Sequence, residues 1–340
     1  MIVVVKQTAS MEQLNHLVDW IHGQGFKTHV SKGDNETIVG IIGDTSQIDP
    51  FLLESMSIIR RVQRVSEPFK KANRAFHPED TVVDCGHGVR VGGGGFLIIA
   101  SAYSMDSKEL MDVSTQAKTA GASMLRGRAY QSRTSPYAYQ GMGEKGLDLL
   151  KEIGTQLNMP VVAEVVDPRD VQTFVDKGID VMQIGTHNAH NYSLLREVGK
   201  TATPVLLKRG RADTIDDLLM EAEYVMSEGN PNVILCESGI RTFETRMRST
   251  FDVNAIPMLK HLSHLPVLGD PTHSTGYTRY ACAATYAATA AGADGVEIEL
   301  CPQDDADVSN NKALTPKQFV NAVQRIRLIH EALTTGLDEG

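Results

Sequence analysis

The chain has 340 residues, 41% of them apolar, with 29 glycines and a net charge of −9. That length exceeds one ordinary domain of about 100–200 residues and suits a small domain joined to a barrel of about 250. The acidic balance, a pI near 5.7 and the lack of a basic stripe exclude a nucleic-acid surface. No apolar run reaches the ~18 residues of a membrane span, so neither nucleic acid nor membrane is expected as a partner.

Residues 2–6 are β-branched, predict a first strand, and are too short a stretch for a signal peptide. From Met11 to Gly23 apolar residues recur at Met11, Leu14, Leu17, Val18 and Ile21, a helical period with Ser10 as its N-cap. Strands over Lys27–Lys32 and Thr37–Ile42 flank the polar turn Gly33-Asp34-Asn35. A helix over Ile48–Met56 and a strand over Ile58–Val65 complete the order βαββαβ, the ferredoxin-like pattern. Residues 1–68 therefore read as a ferredoxin-like regulatory or interaction domain. Residues 69–95 read as a linker, rich in Lys, Arg and Pro as far as about 80, followed by a hairpin at the bottom of a barrel. Gly92 to Gly95 precede a strand rather than follow one, so they are not a dinucleotide loop.

Residues 96–340 alternate short apolar strands with helical stretches. Strands are expected over Phe96–Ala100, Ser123–Leu125, Val161–Val165, Val181–Ile184, Val205–Leu207, Val233–Leu235, Val267–Leu268 and Gly295–Leu300. Helices are expected over Gly143–Leu157, Asp170–Lys177, Thr214–Ser227, Tyr280–Ala291 and Thr315–Thr334. Eight strands, each followed by a helix or loop, predict a (β/α)8 TIM barrel, an α/β fold. No repeat of 20–50 residues is evident. The four cysteines show no CxxC spacing and read as reduced thiols of a cytoplasmic protein.

In such a barrel the chemistry lies where strands end. Ionisable and polar groups crowd those positions here: Tyr103, Arg126, Gln131, Arg133, Thr134, Glu164, Asp167, His187, Lys208, Arg209, Glu237, Arg241, Asp270, His273, Glu299 and Cys301. The run Gln131-Ser132-Arg133-Thr134-Ser135-Pro136-Tyr137 combines a planar cation, short hydroxyl donors and a proline-stiffened turn. That is suitable chemistry for gripping a phosphate, with Arg133, Thr134 and Ser135 as its ligands.

Longer runs carry a family resemblance: Phe76-His77-Pro78-Glu79-Asp80-Thr81, Glu164-Val165-Val166-Asp167-Pro168-Arg169-Asp170, Leu206-Leu207-Lys208-Arg209-Gly210, Gly239-Ile240-Arg241-Thr242-Phe243-Glu244 and Asp270-Pro271-Thr272-His273. Together they make the chain similar, over nearly its whole length, to 3-deoxy-D-arabino-heptulosonate 7-phosphate (DAHP) synthases of the type I-beta kind. These condense phosphoenolpyruvate with erythrose 4-phosphate at a divalent metal, on the way to chorismate. The resemblance implies an aldol-type transferase of the shikimate pathway, a homo-oligomer (dimer or tetramer), whose ligands are a sugar phosphate and a keto or enol acid. It implies Arg133 and Thr134 at the aldehyde's phosphate, and Arg126 and Lys208 at the carboxylate of the three-carbon acid. Lys208, His273, Glu299 and Gln131 would carry the catalysis.

The departures cluster in the site. Of the family's four metal ligands, His273 and Glu299 are kept, while the Cys and Asp positions fall on Tyr103 and Asn310. A divalent metal such as manganese is therefore expected to be weakly held or absent, and no nucleotide cofactor is expected. Cys301, two residues beyond Glu299, is a substitute ligand or a buried thiol. The family's Lys-Pro before Arg133 is here Gln131-Ser132, and two phosphoenolpyruvate-binding arginines fall on His187 and Ser238. Losing two charge contacts of about 2–5 kcal/mol each would weaken that substrate considerably. Two further readings follow. One is a metal-independent aldolase or lyase with a non-phosphorylated donor such as pyruvate, in which Lys208, its pKa lowered beside Arg209, forms a Schiff base. The other is a non-catalytic regulatory paralogue.

Overall fold

The computed structural model describes residues 1–33, 36–43, 45, 48–63, 67–133, 135–302 and 313–335. The chain divides into two compact units, residues 1–80 with 261–264, and residues 81–260 with 265–340.

The first unit contains β1 (Ile2–Val5), α1 (Met11–Gly23), β2 (Lys27–Lys32), β3 (Thr37–Ile42), α2 (Pro50–Glu54) and β4 (Ile59–Gln63). Its antiparallel sheet has the order β2-β3-β1-β4. Helix α1 begins where the sequence says it should, because the Ser10 and Gln13 side chains cap each other's backbone N–H groups. Its buried stripe of Leu14, Leu17 and Ile21 packs on Val3, Val5, Val39 and Ile41. The other face of the sheet, with Ile2, Val4 and Ile38, is covered by Phe76. The segment expected as a linker to about residue 80 belongs to this unit, with Phe69, Ala72 and Phe76 all buried. Gly40 makes this packing possible: a β carbon there would fall 2.2 Å from the Phe76 ring.

The second unit opens with a small hairpin, β5 (Val83–Asp84) and β6 (Arg90–Val91). Its Val83, Cys85 and Val91 pack against Leu97, Met124, Val162, Val181, Leu206, Ile234 and Leu268, residues near the starts of the barrel strands. The hairpin therefore plugs the N-terminal end. Eight parallel strands close the barrel: β7 (Leu97–Ala102), β8 (Met124–Gly127), β9 (Val161–Glu164), β10 (Val181–Ile184), β11 (Val205–Lys208), β12 (Val233–Glu237), β13 (Val267–Gly269) and β14 (Gly295–Leu300). All eight were expected. Around them lie α3 (Ser107–Ala120), α4 (Glu144–Gln156), α5 (Val171–Asp176), α6 (Tyr192–Gly199), α7 (Ile215–Ser227), α8 (Ala255–Leu262), α9 (Pro271–Thr275), α10 (Thr278–Ala290) and α11 (Pro316–Thr334). Helices α3, α6, α8 and α9 are not among the ranges read from the sequence, which expected a helix or loop after each strand. Among the described residues no helix is long and apolar enough to cross a membrane.

Candidate active site

With its lower end plugged, the barrel opens at the C-terminal ends of its strands, as the fold requires of a functional face. A cavity of about 180 Å³ lies there. It brings together Tyr103, Arg126, Gln131, Arg133, Glu164, His187, Lys208, Ser238, Asp270, His273 and Glu299, all expected near the site from sequence. It also contains Arg128, Gln183, Arg211, Arg248 and Ser249, which the sequence reading did not select.

The floor is a network of buried charges. Lys208, at the end of β11, lies 2.6 Å from Asp270 Oδ2 and 2.7 Å from Glu297 Oε2. Burial alone would lower its pKa, but Asp270 and Glu297 outweigh burial and raise it above the ordinary lysine range. The Schiff-base expectation is therefore corrected. Arg209 is not beside the ammonium to lower its pKa, because its guanidinium turns away to Glu237 at 2.9 Å and Asp252 at 3.0 Å. Lys208 is a fixed cation, hydrogen-bonded to Asp270 and ion-paired with Glu297. Arg126, on β8, donates to Gln183 Oε1 at 2.7 Å and to Ser101 Oγ at 2.8 Å, and reaches Glu164 at 3.4 Å. Burial disfavours its charge, yet Glu297 and Glu164 keep its pKa above the usual arginine range. Burial raises the pKa of Glu164, against the pull of Arg126 and Lys208. Gly185 leaves room for that carboxylate, since a β carbon there would fall 2.2 Å from Glu164 Oε1.

His273 stands on the rim with Nδ1 2.9 Å from Asp270 Oδ1 and Nε2 3.7 Å from Glu299 Oε1. Burial lowers its pKa, although Asp270 opposes the shift, so the ring is neutral at pH 7. The Asp270 contact assigns the proton to Nδ1 and leaves Nε2 as an acceptor. Asp270 itself would be raised by burial, but His273 and Lys208 hold it well below the usual carboxylate range.

Two groups of cations line the upper wall. In the segment after β8, Arg133 contacts the Gln131 side chain. Ser135 instead accepts from the Tyr137 N–H at 3.3 Å and is not part of the cavity wall. Thr134 and Asn310 lie outside the described residues. The second group comprises Arg211 after β11 and Arg248 after β12, beside His187. Burial and then Arg248 and Arg241 lower the pKa of Arg211, and no ion pair to an acidic group is found for either Arg211 or Arg248 among the described residues. Arg211 thus sets a cation in the same cavity wall as His187 and Ser238, and its place in the sequence gave no sign of it.

Two sets of metal-capable side chains converge among the described residues: Asp270, His273 and Glu297, and, outside the cavity, His190, Asp213 and Glu221. The first already holds the Lys208 ammonium. The expected ligand pair His273 and Glu299 is occupied in another way. The Arg128 guanidinium contacts the Glu299 carboxylate and lies 4.7 Å from the centre of the Tyr103 ring. Burial, then Arg126, lowers its pKa to about 10, still charged at pH 7. A dication at His273 and Glu299 would have to expel a cation that is already bound, with a phenol in place of a thiolate. Among the described residues, His273 and Glu299 with that guanidinium in place do not fit a divalent metal. Cys301 is buried and donates to the Leu314 carbonyl at 3.5 Å, away from the cavity wall.

Residues 77–332 match the DAHP synthetase I family, and residues 1–67 match the DAHP synthase ferredoxin-like domain. The chain is 41% identical over 335 residues, 98% of either chain, to phospho-2-dehydro-3-deoxyheptonate aldolase of Thermotoga maritima. It is also 30% identical over 202 residues, 56% of this chain and 69% of the relative, to 2-dehydro-3-deoxyphosphooctonate aldolase of Syntrophobacter fumaroxidans. The crystal structure of the Thermotoga maritima DAHP synthase superposes with a TM-score of 0.76 at 40% identity, covering 98% of this chain and 97% of that one.

Proposed function

The chain belongs to the DAHP synthetase I family, and from that premise we propose that it condenses phosphoenolpyruvate with a phosphorylated aldose of the erythrose 4-phosphate kind. The observation that carries this reading is the pair of cation groups at the mouth. The loops after β8 and β12, with Arg133 and Arg248, stand on opposite sides of the closed ring. A substrate pair with a phosphate at each end fits that spacing of charge, and a single small anion does not need it.

Arg133 takes the aldose phosphate, Arg211 and Arg248 take the phosphate of phosphoenolpyruvate, and Arg126 with Lys208 faces its carboxylate. C3 of phosphoenolpyruvate then forms a bond to the aldehyde carbon, and the carbonyl pair moves onto the aldehyde oxygen. Water adds at C2 and gives up a proton; His273 Nε2 accepts it and passes it to the new alkoxide. Inorganic phosphate leaves C2 with the hydroxyl proton as the keto group forms. A purely regulatory role would not call for this neutral imidazole set among fixed cations, and the raised Lys208 pKa argues against a pyruvate Schiff base.

The test is phosphate release from phosphoenolpyruvate plus erythrose 4-phosphate. Release is expected only with both substrates. Arg211→Ala should raise the KM for phosphoenolpyruvate by about 30-fold, the equivalent of roughly 2 kcal/mol, with little change in the KM for the aldose. No release, or an unaltered KM, would defeat the reading.

A further inference from the structure

We propose that Arg128 is the resident cation of this site, occupying the place of a divalent metal and polarising the aldehyde carbonyl. This inference rests on the condensation proposed above. Arg128 follows the strand that carries Arg126, and its guanidinium reaches across to Glu299 on β14. Its guanidinium carbon lies over the Tyr103 ring, 4.7 Å from the ring centre. The Arg128 side chain is 15% exposed and Glu299 1%, so the pair is shielded from water while still lining the cavity. Three features converge. The carboxylate contacts the guanidinium, the aromatic ring lies against it, and the arginine lines the cavity where the reacting groups would sit. A guanidinium held in this way can donate two hydrogen bonds to an oxygen that gains negative charge, which is the service an oxyanion hole supplies. In the condensation that oxygen is the aldehyde's, as the carbonyl pair moves onto it and before it takes the proton released by water. Glu299 acts through Arg128 as a positioning residue.

Metal titration and kinetics test this separately. Wild-type protein stripped with EDTA and then incubated with manganese should show far less than one ion per chain by elemental analysis, and EDTA should leave its phosphate-release rate unchanged. One tightly bound ion per chain, lost in His273→Ala, would overturn the proposal. The double variant Tyr103→Cys, Arg128→Gly should gain measurable manganese binding by titration calorimetry, and its failure to do so while folded would count against a cation held out by the guanidinium. In the kinetic arm, Arg128→Ala should lower kcat by about 10²-fold with both KM values nearly unchanged. Added guanidinium chloride, below denaturing concentration, should restore part of the rate, and a KM effect without rescue would reduce Arg128 to a structural role. If wild-type protein releases no phosphate at all, the condensation reading falls, and the metal titration still decides whether the guanidinium excludes the ion.

Discussion

Charged groups in this barrel are placed where burial and partners oppose each other, and the balance differs from residue to residue. Lys208 and Asp270 stay ionised because each has the other within 2.6 Å. Glu221 is the opposite case. It is 1% exposed, and burial together with Asp213 pushes its pKa up to about 9. At neutral pH it is protonated and hydrogen-bonds to Asp213, with His190 3.7 Å away. Its folded pKa lies above the unfolded value of about 4.3. Unfolding between those limits releases a proton, so this contribution to stability is complete below about pH 4.3 and is lost as pH rises through 9. Glu221→Gln keeps the neutral form and removes the dependence. The variant should melt several degrees higher than wild type at pH 8.5 and show a flatter melting profile between pH 6 and 9; equal profiles would refute the assignment.

At the scale of elements, alternation along single strands builds the site. Glu297 and Glu299 lie two apart on β14 and face inward together, the first toward Lys208 and the second toward Arg128. The sequence run Gly295-Val-Glu-Ile-Glu-Leu300 held that signal for both, and only Glu299 was selected from it. Gln183 is a similar omission, a lone polar residue in an otherwise apolar β10 that accepts from Arg126. In the first unit the sheet is tightened by a contact between elements distant in sequence. Gly40→Ala would drive a methyl into the Phe76 ring, so overpacking of about 1–3 kcal/mol or more is expected. Denaturation followed at the single Trp20, which packs against the core of that unit, should show the loss. A Phe76→Ala, Gly40→Ala double variant should lose less stability than the sum of the two single variants, because the clash is absent once the Phe76 ring is gone.

At the scale of the whole molecule, net charge and local charge have opposite signs. The chain carries −9, which at long range repels substrates that are themselves anions. The mouth gathers Arg126, Arg128, Arg133, Lys208, Arg211 and Arg248 around one cavity. Field lines focused in a cleft outweigh distant surface charge once the ligand comes within a Debye length, about 10 Å at 0.1 M salt. Raising the salt from low to moderate concentration should therefore lower kcat/KM in spite of the negative net charge. A rise would mean that the overall charge dominates the encounter.

The sequence by itself determined the architecture. Period-2 and period-3.6 apolar patterns are local, so all eight barrel strands, the capped α1 and the βαββαβ order could be read directly from the chain. It also identified most of the residues that meet at the mouth, because strand ends of a barrel converge wherever they occur in the chain. Only the tertiary structure decided their states. Whether Lys208 is a nucleophile or a fixed cation depends on Asp270 and Glu297, more than sixty residues away along the chain. Whether Arg128 or a metal ion faces Glu299 depends on β8 lying beside β7, which in turn pairs with β14. Spacing along a strand says which side chains point inward; charge balance in a buried site depends on which distant groups the closed ring brings within a few ångströms.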